Sequence, residues 1–281
     1  MTADTLALTG IVHGLEESVY HAHPALSSTG ARKLLESPAR FDYWRKHPEP
    51  HKDAFDLGTA VHSKVLGVGW GVVVLDFPDF RSKAAREARD EARAAGKVVI
   101  SPAQAALVDA MSEAVLAHPT ARILFEQDGH SEVSLFATDP DTGVDVRSRF
   151  DFLPNLDAEH PIAVDLKTTG KAASPDEFTK TVANFGYDVQ DAHYEFTHAL
   201  VTGREIPLVF VVVETEPPHL VSVHQLPTVW REMGLTKARV ARERFAECTR
   251  TGEWPGYPPD VQLLSPPTYA VYQFEEMYGN E

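Results

Sequence analysis

Apolar residues recur at two different periods along this chain, and the change of period divides it. From Leu26 the run LSSTGARKLLESPARF offers Ser27 or Ser28 as the cap of a short helix lasting through Leu35, with Pro38 beyond its end. In DAFDLGTAVHSKVLG, Ala54, Leu57, Val61 and Val65 fall at helical spacing and Gly67 can terminate the helix. GVVVLDF reads as a short strand. SPAQAALVDAMSEAVLAHP reads as an amphipathic helix with Ser101 as cap and Pro102 in its first turn.

The middle of the chain alternates with period two. SEVSLFATD and GVDVRSRFDFLP are predicted strands joined by the turn signal DPDTG, and IAVDLKTT is a third. SPDEF opens a helix, with Ser174 as cap, Pro175 first inside and Glu177 completing a capping box. A second helix is predicted over about 188–202, stopping at Gly203. PLVFVVVET and LVSVHQL are two more strands, followed by a long charged helix from about Val229 to Thr249. The tail EWPGYPPDVQLLSPPTYA is proline-rich and predicted irregular, held on the surface by its aromatics. This order predicts an α/β fold: helices first, a central mixed sheet flanked by helices, then helices and two more strands. Residues 1–25 read as an N-terminal extension packed on a single domain spanning 26–281. Within that domain RSKAAREARDEARAAGK, residues 81–97, carries six basic and three acidic residues and few large apolar anchors. It reads as a charged insert, an exposed helix or a mobile loop.

Composition narrows the function classes. The 281 residues are 43% apolar and 24% charged, ordinary for a globular protein, and no apolar run approaches the ~20 residues that span a bilayer. MTADTLALTG has no basic region leading into an apolar stretch, so a secretory signal is not expected and a cytoplasmic location is. A single cysteine, Cys248, excludes an intrachain disulfide and a four-cysteine metal or iron–sulfur site. The net charge of −15 argues against a partner held by phosphate neutralisation over the whole surface, so any nucleic-acid contact must use local basic patches. Clustered carboxylates suit a divalent cation; solubility accounts for acidity otherwise.

The period-two strands carry the candidate chemistry. Asp145, Arg147, Arg149 and Asp151 are predicted on one face of the second central strand, with Val146, Phe150 and Phe152 on the other. In the third strand Asp165 and Lys167 share a face, opposite Val164 and Leu166. Glu132 begins the first strand. If these strands are neighbours, one sheet face gathers Glu132, Asp151, Asp165 and Lys167. Burying three carboxylates together is costly unless a cation compensates them, and Mg²⁺ or Mn²⁺ takes such oxygens. A lysine beside it is placed to orient or deprotonate a water, or to stabilise charge developing on a phosphate. A lone D-x-K at a strand end is otherwise a solvated edge or surface ion pair.

Asp151 followed by Asp165-Leu166-Lys167 resembles the PD-(D/E)xK nuclease core, with Phe150 where a proline precedes the first aspartate. Gln190 and Tyr194, four apart on one helix face, resemble the Q-x-x-x-Y element of RecB-type nucleases, and LGTAVHSKVL resembles the helix that supplies their metal-binding histidine, here His62. More finely, YHAHPALSSTGARKLLESPARF, FDLGTAVHSKVL, SEVSLF, VRSRFDFLP, VDLKTT, YDVQDAHY and GEWPGY occur in the order seen in the C-terminal nuclease domain of the RecE type (exodeoxyribonuclease VIII) and its phage-encoded relatives. The resemblance implies a PD-(D/E)xK core acting as a 5′→3′ exonuclease on double-stranded DNA ends. It would leave 3′ overhangs for a RecT-like single-strand annealing protein, in the host cytoplasm if phage-encoded. It implies that Asp151 and Asp165 hold the metal with the backbone carbonyl of Leu166 and the ring of His62, and that Glu132 acts directly or through a water. Lys167 would orient the attacking water, and Gln190 and Tyr194 would position that lysine or the nearby phosphate.

Ser27, Ser28 and Arg32, at a helix start, are candidates for the 5′-phosphate end, with plain capping as the alternative for the serines. Arg147 and Arg149 either touch phosphates or balance Glu132 and Asp151. A homo-oligomeric ring around DNA would gather scattered basic residues in its channel and leave acidic surface outside. The rival readings are a single-strand or structure-specific nuclease of the RecB or Cas4 kind, and a non-catalytic DNA-binding protein of the same fold. A small-phosphoester hydrolase would want a glycine-rich phosphate loop or an H-E-x-x-H pair, and neither is present.

Overall fold

A computed structural model describes residues 8–47, 53–68 and 71–279, leaving out the side chains of 53–55. The side chain of the expected helical position Ala54 and the first seven residues of the N-terminal extension therefore lie outside what is described. The architecture is built on one mixed sheet of six strands. These are β1 (Gly10–Val12), β4 (Gly129–Thr138), β5 (Asp145–Pro154), β6 (Ala163–Thr169), β7 (Leu208–Glu214) and β8 (Val221–Gln225), lying in the order β1-β4-β5-β6-β7-β8. β6 and β7 are parallel; the other pairs are antiparallel. The parallel pair needs a crossover. It is supplied by helices α8 (Pro175–Phe185) and α9 (Tyr187–Thr202). A small parallel pair, β2 (Val72–Val74) with β3 (Val98–Ile100), stands apart from the sheet.

Helices cover both faces. On one, α4 (Asp53–Leu66), α6 (Pro102–Ala117) and α7 (Pro119–Phe125) bury Val61, Met111, Val115 and Leu124 against Phe152, Val164, Leu166 and Val211. On the other, Phe178, Val182 and Tyr194 of α8 and α9 pack on Phe150, Ala163, Phe210 and Val212. The apolar run LVFVVV that begins β7 follows from this double cover, since a strand buried on both faces has no polar side. Outside α9 lies a third layer of α2 (Ser28–Glu36), α3 (Pro38–Lys46) and α10 (Thr228–Thr251), joined through Leu34, Phe41, Val189, Ala238 and Ala241. Gly234 lets α10 lie close on α9, because a Cβ there would come 2.1 Å from the Asp188 carbonyl.

Several expectations change. Pro38 does not merely follow a helix; it opens α3, whose cap is Ser37. Ser174 caps α8 without a side-chain hydrogen bond, and Glu177 pairs with Lys171 and Lys180, so the capping box does not form. The segment around 81–97 is a helix, α5 (Lys83–Ala94), tied back to α4 through Arg93 and Asp56. The tail packs through Trp254 on Phe41 and Phe245, then forms the exposed helix α11 (Thr268–Tyr278) where no element was expected.

The main correction concerns β5. Val133 and Phe150 are cross-strand partners in the α8–α9 layer, yet Phe152 belongs to the α4–α6 layer and Leu153 to the α8–α9 layer. The ladder skips the intervening pair, where Glu132 faces Asp151 with φ of +55°, a left-handed conformation uncommon outside glycine. The alternation inverts at this point. Phe150 and Phe152 do not share a face.

Candidate active site

The site forms where β5 and β6 part. Their register holds one pair, Phe152 with Val164. Beyond it the Leu166 N–H, released from the ladder, is bonded at 2.7 Å by Asp151 Oδ2. A carboxylate in this gap satisfies a backbone donor that would otherwise be buried unpaired. The same oxygen lies 3.2 Å from His62 Nε2, carried in by α4. That nitrogen is also 2.7 Å from the Leu166 carbonyl, while Nδ1 is 2.8 Å from the Gly58 carbonyl. Carbonyls only accept, so Nδ1 donates to Gly58, and Nε2 donates while it is protonated; a cation held by Nε2 would replace that proton. Burial alone would lower its pKa, but the Asp151 carboxylate reverses this and raises it to about 9. Burial likewise pushes the Asp151 carboxyl up, and His62 with Lys167 more than offsets it, leaving it below the ordinary value.

Asp165 and Lys167 leave β6 on the α9 side. Lys167 Nζ lies 2.5 Å from Asp165 Oδ2, a buried ion pair that engages this oxygen. Gln190 donates to Asp165 Oδ1 at 2.5 Å. Burial raises the Asp165 pKa against the pull of Lys167. Burial works against the Lys167 ammonium, and the Asp165 carboxylate outweighs it, so the lysine stays protonated. Glu132 is raised to about 8, by burial first and by Asp151 second, with Arg149 Nε only 4.0 Å away.

The structure thus brings His62, Glu132, Asp151, Asp165, Leu166, Lys167 and Gln190 together. Tyr194 sits deeper, its ring 4.9 Å from that of Phe150, and Gln190 reaches Asp165 rather than the lysine. The aromatic that does face the lysine is Tyr187, whose ring centroid is 4.9 Å from Nζ. It lies three residues before Gln190 on the same helix, so the i, i+3 rule that paired Gln190 with Tyr194 also reaches it. Among the described residues no three His, Cys, Asp or Glu side chains stand as a metal's ligands, since Asp165 is turned to Lys167 and Gln190, and Glu132 towards Arg149. The donors that could hold a hard divalent cation are His62 Nε2, Asp151 Oδ2, the Leu166 carbonyl and the Asp165 carboxylate. This nitrogen–oxygen set fits such an ion.

The two arginines of β5 do other work. Arg147, 6% exposed, donates to the carbonyls of Tyr20, His21 and His23 at the end of α1 (Glu17–Ala22). Arg149 bonds Ser134 Oγ and the Leu15 carbonyl, and the Tyr20 ring lies over both guanidinium groups. The N-terminal segment therefore covers the arginines: Arg149 flanks Glu132, and Arg147 is committed to backbone. Ser27 is a cap, accepting from Gly30 N at 3.1 Å, and Ser28 is buried. Arg32 bonds the Ser28 and Phe185 carbonyls, at the corner between α8 and α9.

A strand pair parted around Asp151, with D-x-K on the neighbouring strand and helices on both faces, defines a PD-(D/E)xK protein. The chain belongs to the family described as PDDEXK-like domain of unknown function (DUF3799), which matches residues 27–265, and with it to the PD-(D/E)xK nuclease superfamily. Among solved structures it is similar in fold to one described as a "putative exonuclease" from Eubacterium rectale. The two share 11% identity with a TM-score of 0.59, over 93% of this chain and 98% of that one. The structure described as SSO0001 aligns over 71% of this chain and 85% of its own, at 14% identity and a TM-score of 0.31. No curated protein matches the sequence. Among the described residues no helix is long and apolar enough to cross a membrane.

Proposed function

We propose that this protein is a divalent-cation-dependent exodeoxyribonuclease acting 5′→3′ on linear double-stranded DNA, leaving 3′ single strands for a RecT-like annealing protein. The observation that carries this reading is the convergence of His62 Nε2, Asp151 Oδ2 and the Leu166 carbonyl beside the paired Asp165 and Lys167. The ordered resemblance to RecE-type domains and the fold shared with the Eubacterium rectale protein support the exonuclease side of it.

In this reading His62, Asp151, Asp165 and the Leu166 carbonyl hold Mg²⁺ or Mn²⁺. The bound ion supplies charge neutralisation at the scissile phosphate and makes a water more acidic. The chain's own groups do the rest. Lys167, kept as an ammonium by Asp165, donates to the attacking water or to a phosphate oxygen and fixes the line of approach. Gln190 holds the Asp165 carboxylate in one rotamer. Glu132, whose carboxyl burial and the neighbouring Asp151 push up to about 8, is placed to exchange a proton with a water. Arg32 beside the first turn of α2 is the candidate contact for the 5′-phosphate.

The test is digestion of linear duplex labelled at the 5′ or the 3′ end, with Mg²⁺, Mn²⁺ or EDTA. Early release of the 5′ label as mononucleotide, requiring the metal, is the expected result. Release from the 3′ end, or preference for single strands, would replace the reading with a RecB-like one. No metal-dependent cleavage at all would leave a DNA-binding protein of this fold.

A further inference from the structure

The corner between α8 and α9 presents an aromatic side chain that neither the core nor the metal donors use. Phe185 ends α8 and is 58% exposed, although its ring stacks on Tyr187 at 5.9 Å and 21°. Tyr187 in turn stacks on Phe210 at 5.7 Å and 18°, which seats the pair on the sheet. Two cations face the same tyrosine ring, Lys167 at 4.9 Å and Arg32 at 5.9 Å. Arg32 Nη1 also donates to the Phe185 carbonyl at 2.6 Å and Nη2 to Thr29 Oγ1 at 3.0 Å. The corner is closed by Gly186 at φ +65°, where a Cβ would come 3.0 Å from the Arg32 chain. An outward aromatic is thus backed by a tyrosine ring that two cations face, one of them the lysine of the site.

Scattered exposed apolar residues are ordinary and need no function. Ile123 and Val229 are exposed to a similar extent, and neither belongs to such an arrangement. An aromatic face flanked by cations matches what single-stranded nucleic acid requires: a π surface for the base and positive charge for the adjoining phosphates.

We propose that Phe185 is a nucleobase platform, whose outward face stacks on an unpaired base at the DNA end while Arg32 and Lys167 face the phosphates on either side. Tyr187 backs the platform and couples it to Lys167, so a stacked base sets the position of the phosphate next to the site. The proposal rests on the nuclease reading and adds to it a contact with the end base, independent of the base's identity because every base has a π face.

The experiment uses the full chain in EDTA, so that binding is read without cleavage. A short duplex carries 2-aminopurine as its 5′-terminal base and a fluorophore on the far end, whose anisotropy reports binding. Wild type is expected to quench the 2-aminopurine emission several-fold at saturation. Phe185→Ala should lose most of that quench and bind about tenfold to a hundredfold more weakly. Phe185→Trp should restore both. Equal quench by wild type and Phe185→Ala at saturation, or a Trp variant that behaves as the Ala one, would overturn the platform. If wild type degrades DNA in Mg²⁺ yet gives no quench, the platform fails and the nuclease reading stands; if it neither binds nor degrades DNA, both fall.

Discussion

Asp139 and Asp165 are equally buried, each 2% exposed, and they have opposite fates. Asp139, in the β4–β5 turn, accepts from the Asp141 N–H, from Thr142 Oγ1 and from Arg242 Nε at 2.8 Å. Burial would raise its carboxyl, but those donors more than offset it and hold it below the ordinary value. Asp165 has two side-chain partners, Gln190 on one oxygen and the Lys167 ammonium on the other, and burial keeps its carboxyl raised. Burial does not by itself mark a functional carboxylate. What separates the two is whether the partners outweigh burial. A carboxylate whose partners outweigh it fastens the fold; one that burial still raises is held ready for another cation.

Substitution at each aspartate should separate the roles. The largest effect is expected from Asp165→Asn, which should lose cleavage of labelled duplex beyond detection and keep its thermal midpoint within a few degrees. Wild-type turnover in Mg²⁺ would break the contrast from the functional side. Asp139→Ala should do the reverse, because it leaves Arg242 buried without its partner. We expect a loss of roughly 3 to 5 kcal/mol in urea unfolding, with normal specific activity in the fraction that remains folded.

The third effect is pH-dependent. His193 is wholly buried, its Nε2 3.0 Å from the Arg147 carbonyl, and burial pulls its pKa down to about 4. Its unfolded pKa is near 6.5, so between these values the unfolded chain binds the extra proton. This contribution is complete above about pH 6.5 and is lost as pH falls through about 4, on the order of 3 kcal/mol in all. Urea midpoints of wild type should fall over that window more steeply than those of His193→Gln; parallel curves would refute the assignment. The smallest effect is expected at the amide that donates to Asp165. Gln190→Ala should lower kcat about tenfold to a hundredfold with little change in stability, and Gln190→Glu should do no better, since it puts a second carboxylate against the first.

Much of this was readable along the chain. Apolar spacing located the helix around Val61, the three central strands and the helix carrying Gln190, because both repeat lengths follow from local backbone geometry. D-x-K at residues 165–167 was legible for the same reason: period two puts Asp165 and Lys167 on one face whatever surrounds them. Phe150 and Phe152 were misjudged because the left-handed Glu132 inverts the strand, and nothing local in SEVSLF announces it. Arg147 was read towards the site because a strand's faces do not say what will cover them, and α1 covers this one. Helix α11 was missed because the prolines before it outweighed a short aromatic run.

The order of amino acids by itself determined the helix around Val61, the central strands and the helix carrying Gln190, and that Asp165 and Lys167 share a strand face. Those properties depend on neighbours a few residues away. The chain's folded arrangement alone decided that β5 and β6 separate after one registered pair, that His62 from a distant helix shares a proton with Asp151 and Leu166, and that Tyr187 rather than Tyr194 faces the lysine. Contacts between remote segments are fixed by how whole layers pack, and no local rule in the sequence carries that information.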